Sequence, residues 1–354
     1  MEQAFRSLFR LAGFVSAIAA TPFATAQSVE AVAFGWNSFG QVDVPTNLGA
    51  VRSVSAGYAH SAAVELNGTV VCWGYNGGGQ SMVPAGLADV ESVAAGGFHT
   101  VALRVGGTLA CWGSNAQGQC APPKNVGVVS AIATGGYHTM VIKSGAVVAC
   151  FGHNAFGQCT VPSNIGQVTA IAAGWHHSVS LNALGAVKAW GSNTYGQCSV
   201  PVNLSGVVAV ASGSWHGAAV RSSATVECWG LNDDGQCNVP PNLLGIVAVA
   251  AGAYHTVALR FDGSVRCWGS NVDGQCYPPA SLGAVTAVSA GNKHTLVMAQ
   301  APPCVADFDH DGAVNAADLA VLLSQWGSSG VGCVDLSGNG AVGGEDLAIL
   351  LSQW

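Results

Sequence analysis

The sequence predicts an all-β propeller of seven blades, followed by a small α-helical tandem of ion-binding loops. Histidines recur every 39 residues, at 60, 99, 138, 177, 216, 255 and 294, and glutamines keep the same frame, at 41, 80, 119, 158, 197, 236 and 275. After residues 302–303 the period changes to 28 residues. A fixed period of about 20–50 residues marks a repeat architecture, in which each copy is one supersecondary unit.

Each 39-residue copy alternates short β-rich runs with turn residues. In one copy, residues 90–96, 99–103 and 108–112 are three such runs, and the glycine-rich loop 113–119 follows them. Residues 120–122 are predicted as a fourth, short edge strand, where proline is tolerated. Four short strands in a repeat of about 40 residues are typical of a propeller blade.

Two partial repeats predict how the ring closes. Residues 33–41 match the third run and loop of a copy, whereas residues 285–298 supply a first and a second run without a third. The two ends would complete one blade and hide the open strand edges, so seven blades are expected over residues 29–300. A linear solenoid, the alternative, would not need a split repeat. Because successive strands of a blade are expected to alternate in direction, the Gly-x-x-His turns and the glycine-rich loops are predicted on one face.

The repeat motifs resemble the regulator of chromosome condensation repeat family. The motifs are Ala-Gly-x-x-His-(Thr/Ser), as in residues 95–100, and Trp-Gly-x-Asn-x-x-Gly-Gln, as in residues 112–119. The resemblance covers about three quarters of the chain and implies a seven-bladed propeller. Secreted bacterial relatives look similar, among them a β-lactamase-inhibiting propeller that binds its protein partner through loops on one face.

The N-terminal segment predicts export. Residues 1–26 carry two arginines, an apolar stretch and an Ala-x-Ala cleavage site, as in a secretory signal peptide. The sequence has no uncharged apolar run of 18 residues, so no membrane span is expected. We therefore predict a secreted or cell-envelope protein, in which disulfides between the 12 cysteines can persist.

The charge distribution argues against nucleic acid as a partner. The first 299 residues carry eleven basic and eleven acidic side chains, whereas the tail from residue 300 carries seven acids and no base. Nucleic-acid binding requires a basic footprint, which neither part provides.

The repeated residues are predicted to be structural. Seven histidines on seven blades lie too far apart to form one metal ring, so each is expected to pin its own blade through a hydrogen bond. The amides of Asn115, Gln119 and their copies are expected to satisfy backbone groups of the turns.

The variable positions beside the repeated residues are the candidate binding surface. The positions before the histidines and before the second loop glycine are rich in aromatic residues, and parity turns both sets to one face. An aromatic cluster on a rigid scaffold is typical of a recognition surface. The alternative is that these rings pack between blades. The candidates are Phe39, Tyr58, Phe98, Tyr137, Phe156, Trp175, Tyr195, Trp215 and Tyr254.

Ten cysteines occupy two repeat positions, five before Trp-Gly or its equivalent and five after Gly-Gln. Pairing within a repeat leaves Cys72 and Cys198 unpaired, and pairing with the preceding repeat leaves Cys237 and Cys267 unpaired. Counting leaves both schemes open, and we favour the first because its loops are short and recur unchanged. A zinc site is disfavoured because the chain has no C-x-x-C pair. We also expect a disulfide between Cys304 and Cys333.

The C-terminal repeat has the spacing of two calcium loops, each followed by a helix. The first loop begins Asp-x-Asp-x-Asp-Gly, and the second is poorer in carboxylates. We predict two calcium ions, with these ligands: Asp307, Asp309, Asp311, Ala313, Asn315 and Asp318 in the first loop; Asp335, Ser337, Asn339, Ala341 and Asp346 in the second. Leu319, Leu322 and Leu323 are expected on one face of a helix that runs from 318 to 326.

Residues 304–354 resemble a dockerin type I module, joined to the propeller by a linker at 301–303. Such modules bind cohesins through residues just before loop position 12, often Ser-Thr. Here these residues are Ala316-Ala317 and Gly344-Glu345, which depart from the pattern and put a cohesin-like partner in doubt.

The sequence predicts a binding protein and not an enzyme. Acids do not recur in the repeat frame, and no nucleophile elbow or phosphate loop is present. The expected function is recognition of an extracellular protein or glycan through one loop face, with a calcium-binding tail as a tether. The alternatives are a passive structural or adhesive envelope protein and a polysaccharide-active enzyme.

Overall fold

The computed structural model describes residues 29–300, 308, 314–328, 334–337 and 340–353. The predicted signal peptide, residues 1–26, lies outside the described residues, as do the predicted linker and Cys304 and Cys333. The described part of the chain contains 21 strands and two helices. None of its helices is long and apolar enough to cross a membrane.

The strands form seven antiparallel sheets of three strands each. The innermost strands are β2 (Val51–Ala56), β5 (Val90–Ala95), β8 (Val129–Thr134), β11 (Val168–Ala173), β14 (Val207–Ser212), β17 (Ile246–Ala251) and β20 (Val285–Ala290). The middle strands are β3 (His60–Glu65), β6 (His99–Arg104), β9 (His138–Lys143), β12 (His177–Asn182), β15 (His216–Arg221), β18 (His255–Arg260) and β21 (His294–Gln300). The outer strands are β4 (Val70–Gly74), β7 (Leu109–Gly113), β10 (Val147–Gly152), β13 (Val187–Gly191), β16 (Val226–Gly230), β19 (Val265–Gly269) and β1 (Val29–Gly35).

The sheets are the blades of a seven-bladed propeller, numbered here from blade 1 (β2–β4) to blade 7. The prediction of four strands per blade was wrong, because no sheet within residues 29–300 has a fourth strand. Residues 121–123, which follow the glutamine of one copy, form no strand. Two prolines, Pro122 and Pro123, lack the N–H groups that a pairing strand would donate.

Blade 7 is assembled from both ends of the propeller, as the partial repeats predict. Its sheet has the order β1-β21-β20, so the first strand of the propeller pairs with the last. The Trp36 N–H donates to the Lys293 carbonyl at 2.8 Å where the two strands meet the loops. Blade 7 is in turn joined to blade 1, because the Asn292 N–H donates to the Gly57 carbonyl at 3.2 Å.

The hydrophobic core lies between neighbouring blades. The middle strands are buried at every position except the last, as expected for strands covered on both faces. Between blades 1 and 2, for example, Ala62 and Val64 pack in one cluster with Val90, Val93 and Trp112. Similar clusters join five further pairs of neighbouring blades, from blades 2 and 3 through to blades 6 and 7.

The cysteines of the propeller follow the within-repeat scheme. Disulfides join Cys111 to Cys120 and Cys150 to Cys159, each across nine residues. The equivalent cysteines of two other repeats, 228 with 237 and 267 with 276, are neighbouring free thiols. Cys72 and Cys198 are also free, because Ser81 and Ala189 occupy the positions of their partners.

The two helices belong to a second compact unit. Helix α1 (Ala316–Ser324) begins with a capping box formed by Asn315 and Asp318, and helix α2 is Gly344–Gln353. Leu322 and Leu350 are fully buried with Val342 between them in one apolar cluster. Leu319 packs against this cluster, whereas Leu323 is 51% exposed. Helix α1 ends two residues before the predicted end.

Candidate functional site

The seven repeated histidines connect neighbouring blades. All seven side chains are fully buried. The Nε2 atom of His60 lies 2.9 Å from Thr100 Oγ1 in the next blade, and the last histidine, His294, closes the ring 3.1 Å from Ser61 Oγ in blade 1. Each of the other five has a hydroxyl of the following blade at 2.9–3.0 Å. The expectation that each histidine pins its own blade was therefore wrong, because the acceptor comes from the next copy.

The hydrogen-bond network determines the tautomer of these histidines. Thr100 Oγ1 donates its single proton to the Gln80 carbonyl at 2.8 Å, so it can only accept from His60 Nε2–H. Nδ1 then carries no proton, and it has no hydrogen-bond partner within the described residues. Burial lowers the pKa of five of the histidines to about 3, and that of His216 and His294 to about 4. The seven histidines are therefore neutral in the native protein, and their role is structural.

In blade 5, the position after the histidine has no hydroxyl side chain. Position 217, which follows His216, is glycine, and a Cβ there would lie 2.4 Å from the Trp229 ring. His177 instead contacts Ser212 Oγ, on the inner strand of the same neighbouring blade, at 2.9 Å. The interblade contact is thus retained although its residue changes.

The repeated amides stabilise the glycine-rich loops, as expected. The Gln119 side-chain carbonyl accepts from the Gln117 N–H at 2.9 Å, and the Asn115 carbonyl accepts from the Cys120 N–H at 2.9 Å. All seven copies repeat both bonds. The scaffold of each loop is therefore held by residues that do not vary.

The turns and the glycine-rich loops lie side by side on one face, as strand parity predicts. The Ser114 N–H donates to the Phe98 carbonyl at 2.8 Å, and each blade has the equivalent bond. Gly113 allows this approach, because it has a φ of 93° and a Cβ there would lie 2.7 Å from that carbonyl. We call this surface the loop face. It consists of the turns 57–59, 96–98, 135–137, 174–176, 213–215, 252–254 and 291–293, and of the loops 35–41, 74–80, 113–119, 152–158, 191–197, 230–236 and 269–275.

Every predicted aromatic residue lies on the loop face, and most of them touch across blade boundaries. Tyr58 lies 5.1 Å from Trp175 and 5.8 Å from Phe98, measured between ring centroids, and Tyr137 lies 5.5 Å from Trp175. Phe156 joins these rings through His176 at 4.7 Å. These separations are typical of favourable aromatic pairs. We call the set Tyr58, Phe98, Tyr137, Phe156, Trp175 and His176 the Trp175 cluster.

A second group, the Trp215 cluster, spans blades 4 to 6. Its central ring, Trp215, lies 6.2 Å from Tyr195 and 5.6 Å from Tyr254. Tyr195 is 49% exposed and the other two rings are half-buried. Phe39, at 46% exposure, belongs to a third group on blades 7 and 1. The rings are neither fully buried between blades nor isolated on the surface.

Sequence reasoning missed three rings of this face. Trp36, Tyr75 and His153 all follow the first glycine of their loops. Phe39 contacts Trp36 at 5.3 Å and Tyr75 at 4.8 Å, and His153 lies 5.9 Å from Phe156. The position after that glycine also varies between copies, and this variation was the available signal.

The axis of the propeller is too narrow to be a ligand pocket. Each blade donates a backbone N–H to a carbonyl of the next, from Tyr58 N to Gly96 O at 3.1 Å through to Asn292 N to Gly57 O at 3.2 Å. The residues of all seven blades surround a cavity of about 90 Å³. Pockets for drug-sized ligands are about 300–1,000 Å³, so this space holds a few waters at most.

The second predicted calcium loop brings three of its candidate ligands together. The Ser337 N–H donates to Asp346 Oδ1 at 2.8 Å, and the Ser337 hydroxyl donates to Asp335 Oδ1 at 3.1 Å. All three offer oxygen donors, which suit a hard cation such as calcium. Ala341 lies exposed, one residue before the buried Val342. Asn339 lies outside the described residues.

In the first loop only the last two candidates are described. Asn315 accepts from the Ala317 N–H at 2.8 Å, and Asp318 accepts from the Asn315 N–H at 2.8 Å. The remaining candidates, Asp307, Asp309, Asp311 and Ala313, lie outside the described residues. Among the residues that are described, no three His, Cys, Asp or Glu side chains form a metal-binding group.

Sequence comparison identifies the propeller repeats. The regulator of chromosome condensation (RCC1) repeat matches residues 51–80, 90–119, 168–197, 207–236 and 246–275. A search of the curated proteins found no significant match.

Solved structures with the same fold are distant in sequence. Prp20p from Saccharomyces cerevisiae matches with a TM-score of 0.67 and 16% identity, over 80% of this chain and 95% of that chain. Human WBSCR16 matches with a TM-score of 0.66 and 17% identity, over 78% of this chain and 100% of its own. The ectodomain of the receptor kinase CR4 from Physcomitrella patens matches with a TM-score of 0.57 and 22% identity, over 68% and 69% of the two chains. The propeller therefore shares the fold of these structures, and five of its repeats are similar to RCC1 repeats.

Proposed function

We propose that this protein is an exported, non-catalytic binding propeller that recognises a partner protein through its loop face. The observation that carries the proposal is the aromatic surface formed by the Trp175 and Trp215 clusters. Energetically dominant interface residues are enriched in Trp and Tyr, and they lie near the centre of a contact patch. The rigid turns beneath them would lower the entropy lost on binding.

Protein is the favoured ligand class for two reasons. The aromatic rings extend over several blades, which suits a broad partner better than a single sugar. The structure of Prp20p is described with its binding properties to Gsp1p and histones, and the same yeast protein is described bound to Kap60. A glycan is the alternative ligand that the same aromatic rings could stack against.

The repeated histidines support a role without catalysis. Each is buried, uncharged and engaged with a hydroxyl of the next blade. A general base must reach its substrate, and these rings are covered by the blades. The residues that vary on the loop face include the aromatic residues of the two clusters, which suit binding. A polysaccharide-active enzyme is therefore the less favoured function, and a passive envelope protein would not need the aromatic surface.

We further propose that the tail binds calcium and tethers the propeller. The support is the loop spacing in the sequence and the cluster of Asp335, Ser337 and Asp346. Two calcium ions would offset about four of the seven negative charges beyond residue 300. The receptor would be a component of the cell envelope, and a cohesin-like protein is the receptor that the dockerin resemblance implies.

The test is a pull-down from the envelope and medium of the parent organism, with the full chain as bait. We expect a saturable protein partner that is lost when Tyr137, Trp215 and Tyr254 are replaced by alanine together. Phe261→Ala is the matched control, because this aromatic residue is 67% exposed in a turn at the opposite end of β18. Equal capture by the triple variant would remove the loop face as the binding surface. Capture of polysaccharide alone would favour the glycan alternative, and retention governed only by calcium would favour the passive one.

A further inference from the structure

The charged residues of the loop face are confined to one sector. Its turns and loops contain three carboxylates, Asp233, Asp234 and Asp273, and one ammonium group, Lys293. Asp273 and Lys293 form an ion pair at 3.3 Å and so offset each other. Asp233 and Asp234 are exposed, and neither forms an ion pair within the described part of the propeller. The excess negative charge of the loop face therefore lies at these two side chains.

The backbone places this excess charge beside the Trp215 cluster. The loop 230–236, which carries both aspartates, begins where the Leu231 N–H donates to the Trp215 carbonyl at 2.9 Å. The amide of Gln236 holds the same loop through the Asp234 N–H at 3.0 Å. The neighbouring loop is attached in the same way to Tyr254, by the Ser270 N–H at 2.8 Å. Both carboxylates therefore belong to a loop that is held by hydrogen bonds and attached to the backbone of Trp215, the central residue of the cluster.

The charge of Asp234 also affects Tyr254, which lies in the blade after that of Trp215. Burial, the neighbouring Tyr58 and the carboxylate of Asp234 raise the pKa of Tyr254. Because the loops 230–236 and 269–275 are hydrogen-bonded to Trp215 and Tyr254, the aromatic rings and the carboxylates belong to one patch that spans blades 5 and 6. The Trp175 cluster differs, because its turns and loops in blades 1 to 4 carry no Asp, Glu, Lys or Arg.

We propose that the Trp215 cluster, with Asp233 and Asp234, receives a lysine or arginine side chain of the partner protein. A cation is attracted to the face of Trp and Tyr rings, and adjacent carboxylates add a direct charge interaction. A long basic side chain can also lay its methylene groups on the rings. The Trp175 cluster would take an uncharged apolar part of the same partner. This inference rests on the proposed function, because it names the chemistry of the partner at the same face.

The experiment selects random peptides displayed on phage against the immobilised full chain and reads the composition of the bound peptides. Three further baits are used in parallel: the double variant Asp233→Asn/Asp234→Asn, the variant Trp215→Ala and the control Asp262→Asn. Asp262 is an exposed carboxylate in a turn on the opposite end of β18, paired with Arg260 at 3.5 Å. Thermal unfolding of each variant establishes that it is folded.

We expect peptides from the unmodified chain to be enriched in lysine and arginine beside an aromatic or aliphatic residue. Their affinity should fall about tenfold on the double variant. The Asp262→Asn bait should retain the same peptides. Loss of binding on Trp215→Ala would show that these peptides occupy the cluster.

Two other results would overturn the inference, and they differ in what they mean for the proposed function. If peptides depend on Trp215 but show no basic enrichment, or bind the double variant equally well, the partner is not basic here and the loop face remains the binding surface. If no selected peptide is sensitive to any loop-face variant, both the inference and the proposed function fail.

Discussion

His60 Nε2 donates to Thr100 Oγ1, a hydroxyl that lies in the next blade and that in turn donates to the Gln80 carbonyl. The chain from imidazole to hydroxyl to backbone carbonyl joins two blades to the loop between them. Six of the seven histidines meet the hydroxyl that follows the next histidine, and His177 uses Ser212 instead. The seven histidines therefore connect the backbone of the loop face with the contacts that hold neighbouring blades together.

The neutral histidine ring predicts a loss of stability in acid. The unfolded histidines titrate near pH 6.5, whereas burial lowers the folded pKa to about 3 or about 4. Below pH 6.5 the unfolded chain therefore binds more protons than the folded chain, so stability is full above pH 6.5 and falls as the pH drops towards 4. Each histidine contributes a slope of about 1.4 kcal/mol per pH unit within that window.

Urea unfolding midpoints between pH 7.5 and 4.5 measure this effect. The midpoint should fall steeply below about pH 6, and His99→Gln, which cannot titrate, should reduce the slope by about one proton. A midpoint that stays flat from pH 7.5 to pH 5 would show that these histidines are not buried as neutral groups.

The hydroxyl between two blades predicts a specific cost for its removal. Thr139→Val keeps the shape of the side chain but leaves His99 Nε2–H without its acceptor and the Gln119 carbonyl without a hydroxyl donor. We expect a loss of about 1–3 kcal/mol in the free energy of unfolding. Thr139→Ser, which retains the hydroxyl, should cost less than half as much. A loss for Thr139→Val no larger than that for Thr139→Ser would show that the hydroxyl contributes no more to stability than the methyl group, and would contradict a specific role for its hydrogen bonds.

The histidine contacts also show what sequence reasoning could predict. The constant frame was sufficient to predict seven blades, the split blade and the shared face of turns and loops, because each depends only on the order of short strands. The partner of His60 depends on how one blade stacks on the next. A hydroxyl follows six of the seven histidines, and Gly217 follows the seventh, so a signal was present. That this hydroxyl contacts the histidine of the preceding blade became clear only from the way neighbouring blades pack.

The contacts of the loop face were also only partly predictable from the sequence. The positions before each histidine identified Tyr137 and Trp215, whereas the contribution of Tyr75 depends on how its loop folds towards Phe39. The number of strands per blade was overestimated, because the residues after Gln119 satisfy turn hydrogen bonds instead of pairing. Side-chain contacts across blades are non-local, and one repeat does not contain them.

The cysteine positions predict four disulfides in the oxidised propeller. Besides the two pairs that are bonded, Cys228 with Cys237 and Cys267 with Cys276 occupy equivalent positions, and the second pair shares a hydrogen bond. Mass spectrometry of the unreduced protein should find both additional bridges after mild oxidation by a disulfide reagent. Each bridge closes a short loop and should add about 2–3 kcal/mol.

Free thiols serve as the control for this assignment. Burial raises the pKa of Cys72 to about 12 and that of Cys198 to about 11, so both should alkylate slowly at neutral pH in the folded protein. Peptides that link Cys72 to Cys120, or Cys228 to Cys276, would contradict the within-repeat scheme.

Calcium binding by the tail is tested by calorimetry on the full chain. Two sites are expected, because the first loop offers three aspartates in the alternating pattern and the second brings together Asp335, Ser337 and Asp346. Asp311→Ala should remove one site and Asp335→Asn should weaken the other, whereas Asp262→Ala in the propeller should change neither. Absence of heat with the unmodified chain would refute both sites.

The loop face as the binding surface is tested most directly by hydroxyl-radical footprinting of the unmodified protein with the partner captured in the pull-down. Aromatic side chains react readily with the radical, so each ring reports its own exposure. The account predicts that the partner protects Trp175, Trp215 and Tyr254, while Phe261 at the opposite end stays as reactive as in the free protein. Protection of Phe261 with unchanged oxidation of Trp175, Trp215 and Tyr254 would contradict it.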